Sequence, residues 1–378
     1  MKIALLGPTY PFRGGIAHHT TLLYRHLAQR HEVQFFTFSR QYPQWLFPGK
    51  SDRDPSQVPL RADNVHALLD SLNPFSWFKT ARAIRRAGAE VLIIPWWVAF
   101  WAPPFWVISR WVGRGGRTRI LFLCHNVVAH EGKWLSRRLT TTVLRRGDGI
   151  VVQSDEDQRR LRQLLPQVRI CKGFHPSYEV FNRGRQDPQA LARRLGIQGK
   201  VMLFFGFVRE YKGLSYLIEA LPAILDQVDV TLLIVGEFWR DKDQYIQRIE
   251  ALSLQEKVVI VDEYVPNEAL DDYFALANLV VQPYLSATGS GVVQTAFGFD
   301  KPVVATAVGA LSEVVRDGQT GYLVPPASSP ALAQAIVNYF SLDKEADFSR
   351  NIAADKARFS WQGLVDIMEQ CVGAEARG

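Results

Sequence analysis

Cysteine is scarce in this 378-residue chain. Its three cysteines, Cys124, Cys171 and Cys371, stand far apart, with no CxxC pair and no histidine companion at metal-ligand spacing. That excludes a thiolate zinc module and a disulfide-dense secreted scaffold, and a reducing compartment is expected. A secretory leader is not expected either. The opening MKIALLGPTYPF has one lysine and a short apolar stretch broken by Pro8 and Pro11, and reads as a first strand. Long uncharged runs are missing apart from Val91 to Ser109, VLIIPWWVAFWAPPFWVIS. Pro95, Pro103 and Pro104 would interrupt a spanning helix there, whereas a strand VLII, a Trp-rich loop and a helix opening at the proline pair accommodate all three. The chain is therefore expected to be cytoplasmic, with peripheral attachment to the inner face of a membrane as an extension of that expectation. No repeat of about 20 to 50 residues and no low-complexity tract occurs, which excludes a solenoid.

What is present is a globular composition, 47% apolar and 21% charged, in a chain longer than one core usually fills, so two domains are expected. The net charge of +7 is unevenly placed. Residues 1–180 hold 26 Lys and Arg against 12 Asp and Glu, and the remainder 18 against 25. The basic half suits an anionic partner or is simply a solvated face; charge alone leaves both open.

Along the first half, apolar runs KIALLG, VQFFTFS, VLII, RILFLC and GIVVQS alternate with amphipathic stretches. After a polar stretch near 182–200 the alternation restarts with VMLFFG, TLLIVG, KVVIVD, NLVVQP, PVVAT and GYLVP. The fold class expected is α/β, two Rossmann-like doubly wound domains facing across a cleft. Their limits are 1–180 and 181–355, followed by a C-terminal helix, 356–378, packing back on the first domain. Ligands of such sheets sit at the carboxyl ends of strands.

Three loops in such positions could hold phosphate, since helix N-termini offer free amides and a favourable dipole. Pro11-Phe12-Arg13-Gly14-Gly15-Ile16 is neither a Walker loop nor a GxGxxG fingerprint. Gly206 to Gly213, GFVREYKG, places Arg209 and Lys212 where cations oppose a helix dipole, which points to an anionic ligand. Ser286 to Val293, SATGSGVV, offers hydroxyls for capping and two glycines that let a ligand approach the backbone.

In order, spacing and loop composition, the run from GFVREYKGLSYLIEA through LLIVGE and YVPNEALDDYFALANLVVQPY to SATGSGVVQTAFGFDKPVVATAVGALSEVVRDGQTGYLVPP resembles glycosyltransferase family 4. This is the retaining, group 1 type of GT-B architecture. PFRGGIAHHT is similar to that family's glycine-rich acceptor-side loop, and His125-Asn126 after RILFLC to its active-site histidine position. The resemblance implies that Arg209 and Lys212 hold the donor diphosphate and neutralise the leaving group. It implies further that Thr288, Gly289, Ser290, Gly291 and Val292 contribute to the phosphate site, that Gly14 and Gly15 approach the diphosphate, and that His125 contacts the sugar. His18, His19 and His130 read as ordinary loop or helix residues. The family's usual glutamate pair is missing: its positions read Ala287 and Thr295 here, as in an SGVVQ-type branch lacking the pair. Thr295 or Gln294 stands at the second position, and Glu237, after strand TLLIV, either takes part of the role or is an exposed strand-end carboxylate. The acidic runs Asp155-Glu156-Asp157 and Asp241-Lys242-Asp243 suit helix starts, so no metal is expected and no cofactor beyond the nucleotide sugar as substrate.

The expected activity is sugar transfer from a nucleotide-diphosphate donor to a glycan or lipid-linked acceptor with retention, in cell-envelope polysaccharide or lipopolysaccharide synthesis. The aromatic and cationic groups Trp96, Trp97, Trp101, Phe105, Trp106, Trp134, Arg137, Arg138, Arg145 and Arg146 suit contact with an anionic membrane, or the tryptophans are core. A nucleotide-sugar epimerase of similar architecture, or a non-catalytic binder of anionic surfaces or nucleic acid, stays as an alternative. Two phosphate loops speak against the binder, and no nucleic-acid partner is expected.

Overall fold

The structure is a computed structural model that describes residues 1–43, 49–127, 134–184 and 187–373. It divides into two compact units, the described residues of Met1–Pro55, Pro59–His175 and Ser360–Gly378 in one, and of Ser56–Val58 and Pro176–Phe359 in the other.

The first unit is built on β1 (Lys2–Leu6), β2 (Glu32–Arg40), β3 (Val65–Asp70), β4 (Val91–Trp96), β5 (Arg119–Cys124), β6 (Gly149–Val152) and β7 (Arg169–Lys172). They form one sheet in the order β3-β2-β1-β4-β5-β6-β7, with parallel pairing throughout. The central strands are buried on both faces, as their unbroken apolar sequences require of a helix-covered parallel sheet. The order reverses between β1 and β4, and the crevice outside their carboxyl ends is the natural ligand position.

The suspected membrane segment resolves into β4, a 3-10 turn Ala99–Trp101 and a helix Ala102–Val112, with Pro103 and Pro104 in the helix's first turn, where a missing N–H costs nothing. Trp96, Trp101 and Phe105 are fully buried, so of the two readings left open these three side chains take that of the core. Trp106 and Trp134 remain exposed. Among the described residues no helix is long and apolar enough to cross a membrane. The helix Trp361–Gly373 lies against β5, β6 and β7, burying Leu364, Val365 and Met368. It is also joined to β7 by a disulfide between Cys171 and Cys371, a pairing of which their wide separation along the chain gives no sign; Cys124 is free and buried.

The second unit contains β8 (Lys200–Phe205), β9 (Val230–Val235), β10 (Val258–Val261), β11 (Leu279–Gln282), β12 (Val303–Thr306) and β13 (Gly321–Val324). Their order is β10-β9-β8-β11-β12-β13, again parallel. Here the order reverses between β8 and β11. The loops Gly206–Gly213 and Pro283–Ser290 leave the carboxyl ends of those two strands.

Candidate functional site

In the second unit the two loops at the reversal are locked together by backbone. Gly213 has φ +70, and a Cβ there would fall 1.9 Å from the Pro283 carbonyl oxygen, so only glycine lets the chain pass. The Leu285 amide donates to the Tyr211 carbonyl at 2.7 Å. A 3-10 turn Glu210–Lys212 and the helix Leu214–Leu225 follow β8, and this folds the Lys212 side chain inward. Its ammonium lies beside Gly206, where a Cβ would meet Nζ at 3.0 Å and the Val292 side chain at 3.4 Å, and 5.5 Å from the Tyr284 ring. Lys212, Val292 and Tyr284 therefore surround one backbone position at the end of β8.

Lys212 is only 8% exposed. Burial, reinforced by the neighbouring Arg209 charge, pulls its ammonium down to about 7. Among the described residues no carboxylate forms an ion pair with Lys212. The Arg209 guanidinium stacks 4.2 Å over the Trp239 ring. Glu237 is buried at the end of β9, and its carbonyl accepts from the Val208 amide at 2.9 Å.

After β11, Ser290 caps the helix Gly291–Gly298: its hydroxyl accepts from the Val293 amide at 3.3 Å and lies 3.3 Å from the Tyr284 hydroxyl. Gly289 has open space where a Cβ would sit. Ala287, at the first glutamate position, brings no polar group. Thr295 turns its hydroxyl to its own helix, donating to the Gly291 carbonyl at 2.8 Å. Gln294, one residue earlier, is 1% exposed, and neither atom of its amide has a hydrogen-bond partner. The two acidic runs behave as helix starts. Ser154 caps the helix Asp155–Leu164 and Asp155 pairs with Lys172 at 2.7 Å, while Lys242 pairs with Asp262 at 2.8 Å.

In the first unit, Gly14 and Gly15 open the helix Gly15–Leu27 without a side-chain cap, and both have open space at their Cβ positions. His125 follows β5 and is tied to the end of β4 by its amide, which donates to the Trp96 carbonyl at 2.8 Å. Its imidazole is pulled down to about 3 by burial and then by His175, with a hydrogen bond to Gln153 pushing the other way. His125 is thus neutral at physiological pH. His19, from the helix Gly15–Leu27, packs edge-on against it with ring centroids 4.4 Å apart, and His175 closes the group at 5.1 Å from His19. His19 is therefore a buried member of a histidine cluster, which corrects its reading as an ordinary helix residue. His130 lies outside the described residues.

A family model described as Glycosyltransferase Family 4 matches residues 13–171, and one described as Glycosyl transferases group 1 matches residues 199–341. The chain belongs to glycosyltransferase family 4. Among its relatives, a D-inositol 3-phosphate glycosyltransferase of Acidothermus cellulolyticus is 27% identical over 388 residues, covering 93% of this chain and 84% of that protein. A phosphatidyl-myo-inositol mannosyltransferase of Mycobacterium leprae is 36% identical over 142 residues, 37% of each chain, so that match spans little more than a third of the relative's length. The Anabaena protein HepE, solved in complex with UDP-glucose, superposes with a TM-score of 0.71 over 99% of this chain and 98% of its own at 19% identity, a likeness of fold. This family 4 glycosyltransferase thus has two parallel-sheet α/β domains of GT-B type.

Sequence reasoning missed His175, the pairing of Cys171 with Cys371, and the solitary amide of Gln294. The loops after β8 and β11 were visible because each is a short polar segment between an apolar run and a helix. Residues far apart in the chain that meet at a sheet edge carry no such local signal.

Proposed function

We propose that this family 4 glycosyltransferase transfers a sugar from a nucleotide-diphosphate donor, with retention of configuration, to a lipid-linked or envelope-glycan acceptor. The observation that carries the reading is Lys212, a buried cation with a lowered pKa beside the Ser290-capped helix start, at the reversal of the second sheet. When the bond from the sugar's anomeric carbon to the phosphate oxygen breaks, the electron pair leaves with the diphosphate. Fixed positive charge aimed there stabilises the transition state more than the ground state. Arg209 and Lys212 supply that charge, and the amides of Gly291 and Val292 with the hydroxyls of Thr288 and Ser290 supply donors. The acceptor hydroxyl oxygen forms the new bond to the anomeric carbon, and its proton passes to the departing diphosphate oxygen. His125, neutral, offers the sugar a hydrogen bond without adding charge, and Glu237 and Gln294 offer polar contacts to sugar and ribose. Gly14 and Gly15 give a backbone that a phosphate can approach closely.

For the acceptor, the support is a face of the first unit. The helices Pro74–Arg86, Ala102–Val112 and Trp134–Leu144 pack in a row. They expose Phe75 (85%), Phe78, Trp106, Trp111 and Trp134 (65%) among Lys79, Arg82, Arg110, Arg137 and Arg138. A cavity of about 380 Å³ beside the first of these helices is lined by Gln34, His66, Lys79, Arg82 and Arg86. Apolar rings amid cations suit an anionic bilayer surface.

Thermal unfolding with UDP-, GDP-, ADP- and dTDP-sugars tests the donor reading. A donor at 100 times its dissociation constant adds about 2.7 kcal/mol. Stabilisation by one of them is expected; none by any would sink the reading.

A further inference from the structure

We propose that His19, His125 and His175 form a binding site for a late first-row divalent cation of the zinc class. The three imidazoles come from separate elements, the helix Gly15–Leu27, the end of β5 and the segment after β7. Each offers a ring nitrogen, and these atoms lie within 4.8 Å of one another. A tetrahedral ion with Zn–N bonds of about 2.0–2.1 Å needs its ligand nitrogens about 3.3 Å apart, so binding requires the three imidazoles to draw together by up to about 1.5 Å.

Two further observations point to a ligand. His19 is fully buried, and neither of its ring nitrogens has a hydrogen-bond partner. Such a group costs free energy unless something satisfies it. Trp361 packs against His19 with ring centroids 4.9 Å apart and helps to bury the imidazole. Three nitrogen ligands with no carboxylate in the group select zinc, copper, nickel or cobalt over magnesium or calcium. His125 and His175 are half-buried, so two of the three ligands keep some exposure to solvent.

An occupied site would hold the His125 imidazole away from a sugar. That consequence rests on the proposed transferase reaction; the binding does not, since it needs neither donor nor acceptor. The test uses the full chain without an affinity tag, stripped with EDTA, and titrates Zn²⁺ in competition with a micromolar chromophoric chelator at pH 7.5. One equivalent is expected to compete. Loss of a partner that only orients a ligand costs 10–100-fold in metal affinity, so His175→Ala and His19→Gln should each weaken binding by at least about tenfold. His175 is the safer substitution because it is half-buried, and its variant decides the matter if His19→Gln does not fold. Absence of stoichiometric Zn²⁺ binding, or unchanged affinity in His175→Ala, would overturn the site.

Discussion

The Arg209 guanidinium lies 4.2 Å above the Trp239 ring, so a side chain with many rotamers is held at the mouth of the β8 loop before any ligand arrives. Preorganised charge requires no reorganisation during bond cleavage, the condition under which it lowers a barrier most. Arg209→Ala and Lys212→Ala should each raise the barrier by about 2 kcal/mol or more, roughly 30-fold in kcat/KM. Trp239→Ala, which removes only the stacking, should cost about 0.5–1 kcal/mol. Steady-state kinetics on the three variants, with circular dichroism melting as a folding control, checks the ranking. Wild-type turnover in both cation variants would remove the loop from the mechanism.

Lys212 also sets a pH dependence. In the free enzyme burial holds its ammonium at about 7. A bound diphosphate restores a counter-ion and raises that value, so above pH 7 binding takes up a proton. Donor affinity should therefore fall as pH rises from 7 toward 9, by up to about tenfold per unit. Calorimetry at pH 8 in buffers of different ionisation enthalpy reads the proton uptake directly. Lys212→Met should abolish both the slope and the uptake, whereas a slope that survives in Lys212→Met would assign it to another group.

Local pattern explains what could be read in advance. Eleven of the thirteen strands among the described residues are the short apolar runs between turn signals that a parallel sheet buried on both faces imposes, so most of both sheets and the loops bearing Arg209, Lys212 and Ser290 were legible, whereas the partly exposed edge strands β3 and β7 carry no such run. The tryptophans were not, because a Trp on a covered strand such as Trp96 and one on an exposed helix such as Trp134 look alike in a sequence. His19 and His175 gave no signal either. Their proximity to His125 arises from the parallel sheet, which brings the carboxyl ends of β5 and β7 and the helix after β1 to one end of the strands. The same holds for Cys171 and Cys371, 200 residues apart and joined because the last helix returns to β7.

Gln294 separates binding from stability. Its amide is buried without a partner, so Gln294→Leu removes an unsatisfied group at nearly constant volume and should stabilise the fold by about 1 kcal/mol. If the amide meets the donor ribose, the same variant should raise donor KM several-fold with kcat little changed. Thr295→Ala, whose hydroxyl bonds its own helix, should leave donor KM unchanged. A stabilised Gln294→Leu with wild-type KM would make Gln294 a core residue only.

The disulfide can be counted. Denatured, non-reduced protein should show one reactive thiol, that of Cys124, and three after reduction. Cross-linking positions so distant restricts the unfolded chain, so Cys171→Ser should lower stability by about 2–4 kcal/mol and loosen the helix Trp361–Gly373 first. Three thiols before reduction would refute the bond.

Membrane contact, if the exposed face provides it, has a distinctive signature. Phe78 packs edge-on against Trp111 at 5.1 Å, which joins two of the helices into one apolar ridge, and the Arg138 guanidinium sits 3.9 Å over Trp134 on the third. Rings at headgroup depth with cations beside them bind through two separable effects, apolar burial that salt leaves intact and charge attraction that salt screens. Binding to vesicles containing anionic lipid should therefore weaken as salt rises and should be weak on neutral vesicles. Arg137→Glu with Arg138→Glu should cost about 1 kcal/mol per charge removed or more, and flatten the salt dependence. Trp134→Ala should weaken binding at every salt concentration without changing the slope. Vesicle co-sedimentation of the three proteins separates these outcomes. Equal binding to neutral and anionic vesicles, or none to either, would leave the basic helices as a solvated surface and direct the search for an acceptor to soluble glycans.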